Sequence, residues 1–374
     1  AHWPGADDPL RPTAASSRPE PSPTDFTTAV DDLEHLLRAS INERLADAVR
    51  PAAFLSGGVD SALLCALAKA EQRDLTAITV GFDDEAYDEA PVARRIAAHL
   101  GTAHEVWRFT RAQYLNAFDR LSRHAEQPMA DPAAMATLLA FEQCSHRFDI
   151  VLDGTGADEA VGLMPPRHVR MAVGHASRLP PVLRLPLARL LKATPGLAGY
   201  APVLDFEHPA DTMSRWHGFR RCEIEQLTGH AVSLEQTQFV RTFHRFARHA
   251  HFERYSALLD VMTCDRLNQA TAISGANVRF PFWDRDTDRF IRQLRTEFRY
   301  LPGQPKRILR ALLARSVPPE IWNLPKHGFN FPLRQFLAGD KYDMVRRHLD
   351  ATRWREHGLL RAEEVQRYGE HFIA

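Results

Sequence analysis

Six consecutive residues, Ser56-Gly57-Gly58-Val59-Asp60-Ser61, put two hydroxyls, two glycines and a carboxylate into the length of one turn. Glycine lets a backbone come close to an anion. A helix starting just beyond aims its free N–H groups and its positive dipole end at the same point. Ser56 and Ser61 add hydroxyl donors, whereas Asp60 would repel a phosphate unless a Mg2+ ion sat between the two. Phosphate binding with a metal is therefore the chemistry these residue types suit; the plainer alternative is a glycine turn with a Ser/Asp helix cap. The loop is not of the Walker type, because no Gly-Lys-Ser or Gly-Lys-Thr follows it.

A second polar cluster, Asp153-Gly154-Thr155-Gly156-Ala157-Asp158-Glu159, follows the apolar run Ile150-Val151-Leu152. Two glycines among carboxylates make either a flexible turn with a helix cap or, in the same sheet as the first loop, a place where Asp158 meets Asp60 across one Mg2+. Lys306 stands where Gly303-Gln304-Pro305 opens a helix running through Leu312. The helix dipole disfavours a cation there, so Lys306 needs an anionic partner, and a phosphate would serve. Asp265-Arg266 sits on an apolar helix with Leu258, Leu259 and Met262, where paired charges are either a structural ion pair or part of a site. His244, His249 and His251 match no standard metal spacing and read as solvated helix faces.

The elements that must hold these residues alternate. Phe26 to Val49 places Leu33, Leu36, Leu37, Ile41 and Leu45 on one helical face, with Thr28 and Asp31 expected to cap its start. Ala52 to Leu55 reads as a buried strand entering the first loop, and Ala62 to Ala70 as a helix leaving it. The β-branched run Leu75 to Phe82 suits a buried parallel strand, Asp88 to Leu100 an amphipathic helix, and Glu105 to Phe109 and Ile150 to Leu152 two further strands. This order predicts a doubly wound parallel sheet with ligands at the carboxyl ends of its strands, where both polar loops lie.

Composition bounds the alternatives. The 374 residues carry 47 basic and 47 acidic side chains, so bulk electrostatics gives no reason to expect a nucleic-acid or membrane partner. No apolar run reaches the length of a membrane span, and no signal peptide is visible. Cys65, Cys144, Cys222 and Cys264 form no zinc spacing, which fits reduced thiols in a cytoplasmic protein. Residues 1–24 are rich in Pro, Ser and Ala and read as a linker, and an initial Ala in place of Met fits a processed product or a fragment. The stretch 165–254 is dense in Arg, His and Pro, with helical patches such as Val182 to Leu191.

From about Phe26 to Leu337 the chain resembles the C-terminal synthetase domain of glutamine-dependent asparagine synthetase, whose family also includes the β-lactam synthetases and the lasso-peptide cyclases. The resemblance begins with the Ser-Gly-Gly-Val-Asp-Ser loop, which is similar to the pyrophosphate loop of ATP pyrophosphatases. It continues in the family's order through Val80-Gly81-Phe82, Glu126-Gln127-Pro128, the turn from Asp153 to Glu159, Asp265-Arg266, Arg279 to Asp284, Lys306 and Lys326-His327-Gly328-Phe329. It implies an α/β fold, a doubly wound parallel sheet of the adenine-nucleotide α-hydrolase (PP-loop) type. An ATP-binding core at 25–164 would be followed by a variable helical insertion at 165–254 and a mostly helical part at 255–374 that completes the site. By the same resemblance, Leu55, Ser56, Gly57, Gly58, Val59, Asp60, Ser61, Val80, Asp153, Gly154 and Lys306 hold ATP, and Asp60 and Asp158 hold Mg2+. Lys306, Asp158 and Thr155 act in catalysis, and Glu126, Asp265, Arg266, Arg279 and Lys326 bind substrate or support the site.

The activity so implied is ATP-dependent amide-bond formation. A small-molecule or peptide carboxylate is activated as an acyl adenylate and passed to ammonia or another amine. Two departures bear on the acceptor: Thr155 stands where asparagine-forming members usually carry Glu, and Thr263 where Lys is frequent. Family members also have an N-terminal amidotransferase domain with a terminal cysteine nucleophile, which nothing here resembles. Trp3-Pro4 and the Pro-rich stretch look like the junction after it, so the missing half is expected upstream. An internal amine would instead give a lactam or macrolactam. A regulatory nucleotide-binding domain without catalysis is a further alternative, against which the joint presence of Asp60, Asp158 and Lys306 argues.

Overall fold

The computed structural model describes residues 23, 25–71, 74–124, 131–206, 208–214, 219, 221–233, 235–261, 266–324, 331–338 and 342–373. The Pro-rich stretch 1–22, Glu126, Thr263, Cys264, Asp265 and Lys326 lie outside the described residues. The chain divides into two compact units, Ala1–Val161 with Asp265–Phe331 and Gly162–Cys264 with Pro332–Ala374.

The first unit is built on a parallel sheet of five strands: β1 (Pro51–Phe54), β2 (Thr76–Val80), β3 (Ala103–Trp107), β4 (Ile150–Leu152) and β5 (Val278–Arg279), in the order β3-β2-β1-β4-β5. The order reverses at β1, so the loop after β1 opens at a topological switch point, the place where doubly wound sheets take their ligands. Helices α1 (Phe26–Leu45), α2 (Val59–Glu71), α3 (Ala90–Leu100), α4 (Arg111–His124), α5 (Ala134–Arg147) and α6 (Ala157–Val161) accompany the strands. Strand side chains alternate between faces. Ala53 and Leu55 accordingly enter one core with Leu37 and Ile41 of α1, Leu64 of α2 and Leu309 of the later helix Arg307–Leu313. Between them Phe54 turns to the other face and stacks on Phe141 of α5, with ring centroids 5.8 Å apart.

Four local details differ from the sequence reading. Arg266 does not share a helix with Leu258 and Leu259: theirs, His251–Leu259, ends at Leu259, and Arg266 starts a separate one, Arg266–Ser274. Asp25, not Thr28 with Asp31, caps α1: its extended backbone suits a cap, and its carboxylate accepts the Thr28 N–H at 2.9 Å. Asp31 instead pairs with Arg315 at 2.6 Å. Strand β3 begins at Ala103, two residues before its expected start, because left-handed Gly101 closes α3 directly ahead of it.

The second unit is helical among its described residues, with Val169, Val173, Met213, Phe243 and Leu258 sharing one buried cluster. Among the described residues no helix is long and apolar enough to cross a membrane.

Candidate active site

The turn after β1 is braced by its own hydroxyls. Ser61 Oγ accepts the Ser56 N–H at 3.0 Å and lies 2.8 Å from Ser56 Oγ, which accepts the Gly58 N–H at 3.1 Å. Val59 then starts α2, whose first turn carries N–H groups with no partner inside the helix. Two glycines make this packing possible. A Cβ on Gly57 would stand 3.1 Å from Val92 Cβ on α3. One on Gly154 would stand 3.2 Å from the Ser61 nitrogen and 3.3 Å from the Asp60 carbonyl carbon, so the turn after β4 rests backbone to backbone on the start of α2.

That second turn is pinned from two sides. The Asp153 N–H donates to the Arg279 carbonyl of β5 at 2.9 Å, and Asp153 Oδ1 accepts both the N–H and the Oγ1–H of Thr155, at 2.8 and 2.6 Å. The carboxylate of Asp158, in the first turn of α6, is thereby carried toward Asp60.

Lys306 joins the two turns. It sits just before the helix Arg307–Leu313 in a left-handed conformation, φ 55° and ψ 40°, which is costly for a side-chain-bearing residue and recurs at functional sites. Its Nζ lies 2.5 Å from Asp60 Oδ2 and 2.5 Å from Asp158 Oδ1. Burial pulls the ammonium's pKa down, and the carboxylates of Asp60 and Asp158 more than reverse this, so the group is held charged above the ordinary lysine range. The anionic partner expected for Lys306 is thus a pair of carboxylates. Asp60 Oδ1 is buried and has no hydrogen-bond partner among the described residues.

A cavity opens at this point. Of the residues singled out in the sequence, Leu55, Ser56, Asp60, Ser61, Val80, Asp153, Gly154, Thr155, Asp158 and Arg266 line it. Gly57, Gly58 and Val59 form the turn itself. Arg266 pairs with Asp131 at 2.6 Å. Arg279 contributes its backbone, its side chain being exposed on β5. Glu126, Asp265 and Lys326 fall outside the described residues.

Sequence reasoning missed the cavity's apolar wall. Phe54 and Ile78 are register partners on β1 and β2, and both line it with Phe141 of α5. Strand alternation was the available signal for the first two. Thr79 and Glu89 also line it. Thr79 Oγ1 donates to the Leu55 carbonyl at 2.6 Å and lies 2.8 Å from His104 Nε2. Burial and the Arg94 charge hold that imidazole below its usual range.

A family model described as Asparagine synthase matches residues 32–372. Asparagine synthetase (glutamine-hydrolyzing) 1 of Bacillus subtilis strain 168 is 25% identical over 341 residues, which cover 87% of this chain and 53% of that protein. A putative asparagine synthetase (glutamine-hydrolyzing) of Mycobacterium tuberculosis strain CDC 1551 is 25% identical over 325 residues, 83% of this chain and 49% of that protein. The chain spans about half the length of the curated relatives it matches. Among solved structures, an NH3-dependent NAD synthetase from Campylobacter jejuni aligns at a TM-score of 0.29 and 10% identity, over 68% of this chain and 97% of that one. The family model runs through β1 to β5 and both polar turns, and on that match the chain belongs to the asparagine synthase family.

Proposed function

We propose that this chain joins a carboxylate to an amine through an acyl adenylate, splitting ATP into AMP and pyrophosphate. The observation that carries the reading is the ammonium of Lys306 held between Asp60 and Asp158, two carboxylates that line the cavity beside the Ser-Gly-Gly turn. The substrate carboxylate oxygen attacks the α-phosphorus, and the bond from that phosphorus to the bridging oxygen breaks as pyrophosphate leaves. The amine nitrogen then attacks the acyl carbon, AMP leaves, and the nitrogen gives up a proton.

Each part of the site suits one of these demands. N–H groups at the start of α2 are aimed where pyrophosphate charge would gather. The Lys306 ammonium, held charged, offsets the negative charge that develops in both steps and is not a general base. Phe54, Ile78 and Phe141 offer an apolar wall of the kind a nucleobase packs against.

The donor set fits Mg2+. Asp60 Oδ1 is a hard oxygen, buried without a hydrogen-bond partner among the described residues, whereas Asp60 Oδ2 and Asp158 Oδ1 hold the Lys306 ammonium, which would have to share or yield them to a metal. Bound by these carboxylates, Mg2+ would screen phosphate charge and polarise the α-phosphorus.

Neither Cys65 nor Cys144 suits the release of ammonia from glutamine. Burial pushes the Cys65 and Cys144 thiols up to about 12, which leaves neither as the thiolate that glutamine hydrolysis needs. Thr155, whose hydroxyl is given to Asp153, supplies no carboxylate beside the reacting centre, and this favours an acceptor other than aspartate. ATP–pyrophosphate exchange that depends on an added carboxylate tests the first half-reaction; absence of exchange across a panel of acids counts against it.

A further inference from the structure

In the second unit, the helix Pro181–Ala193 turns its chemistry the wrong way round for water. Arg184 faces inward and is 2% exposed; it donates to the Leu204 carbonyl at 2.7 Å and to that of Phe206, and its guanidinium lies 3.6 Å from the centre of the Phe206 ring. Leu183, Leu187 and Leu190, spaced as one helical face, are 62%, 43% and 63% exposed, and Val182 beside them is 77% exposed. A helix on the surface of a soluble domain ordinarily does the reverse. Single exposed leucines need no explanation, but a continuous aliphatic stripe marks a contact surface.

Charge says what kind of surface it meets. From Gly162 to Leu204 there are six Lys or Arg residues and no Asp or Glu; Arg184 is buried and has Asp205 close by, which leaves Arg167, Arg170, Arg178, Arg189 and Lys192 as cations at least partly open to solvent. Arg189 and Lys192 of this helix are exposed. We propose that Pro181–Ala193 docks on an anionic lipid surface. The stripe of Leu183, Leu187 and Leu190 sinks to the level of the first acyl carbons, and Arg189 and Lys192 reach the headgroup phosphates. A second copy of this chain is a poorer occupant, because a two-fold contact through this face would bring the same cations together. A nucleic acid would satisfy the cations and leave the leucines in water.

The test is flotation of the 374-residue chain with vesicles of phosphatidylcholine alone or mixed with phosphatidylglycerol. The proposal expects binding to the mixed vesicles only and release by salt. Leu183→Glu with Leu187→Glu should weaken binding about tenfold or more, and Arg189→Glu with Lys192→Glu by a similar factor. All four positions are exposed, so unchanged circular dichroism melting is expected and serves as the folding control. Failure to float with anionic vesicles, or flotation that survives the leucine substitutions, overturns the proposal. So does a wild-type dimer in sedimentation that Leu183→Glu with Leu187→Glu dissolves, since the face would then belong to a second copy.

Discussion

Lys306 Nζ lies 2.5 Å from Asp60 Oδ2, a contact that ties the helix Arg307–Leu313 to the first turn of α2 across 246 residues of sequence. The same nitrogen is 2.5 Å from Asp158 Oδ1. Three charges from three distant segments therefore meet at the carboxyl end of the central strand. Such a convergence is costly to build unless the charges serve chemistry, since a buried pair recovers little net stability after desolvation.

Lys306→Ala is expected to lower turnover by roughly 10^2 to 10^3, the usual effect of losing one positioned charge donor, with a smaller change in KM for ATP. Steady-state kinetics at saturating ATP separates the two. An increase in KM with kcat unchanged would mean that the ammonium only helps to hold the nucleotide.

Asp60→Asn and Asp158→Asn are each expected to raise the Mg2+ concentration needed for half-maximal activity. The fold should remain intact by circular dichroism, because both side chains project from the first turns of helices α2 and α6 and not into the apolar core. An unchanged Mg2+ titration for either variant removes that residue from the metal set.

Gly154→Ala places a Cβ 3.2 Å from the Ser61 nitrogen and 3.3 Å from the Asp60 carbonyl carbon. Both atoms are backbone, so the start of α2 must shift. A loss of about 1–3 kcal/mol, the usual range for overpacking, is expected in urea denaturation, together with weaker nucleotide binding. A variant as stable and as tight-binding as the parent would show that the two turns are not packed as described.

His104 provides a pH dependence whose sign follows from its environment. Its folded pKa is depressed by burial and the Arg94 charge, so the unfolded chain takes up this proton more readily. Stability should be full above the ordinary imidazole pKa of about 6.5 and should fall as the pH drops through that value toward the folded pKa. Urea denaturation of the parent and of His104→Gln across this range checks it: the parent should lose more on acidification, and equal losses would refute the assignment.

Much of the frame was legible because buried parallel strands read as short apolar runs. β1, β2 and β4 were expected within two residues of where they lie, and the Ser-Gly-Gly turn declared itself through residue types no ordinary cap needs. What escaped had physical reasons. β5 is two residues long and offers no period. In α5 every residue from Ala134 to Phe141 is buried, so the helix has no polar face to betray it, and with it went Thr137 and Phe141 of the cavity wall. Asp60, Asp158 and Lys306 were expected in one site, but with a phosphate as the partner of Lys306; its direct pairing with both carboxylates depends on the three-dimensional closure of β4 on β1.

The bond that is broken in ATP tests the central proposal most directly. With the purified chain, Mg2+, an amine and a panel of carboxylic acids, ATP labelled at the α and γ positions should be turned over to AMP and pyrophosphate in step with amide formed, as the proposed acyl adenylate requires. Coupled production of ADP and inorganic phosphate would contradict it.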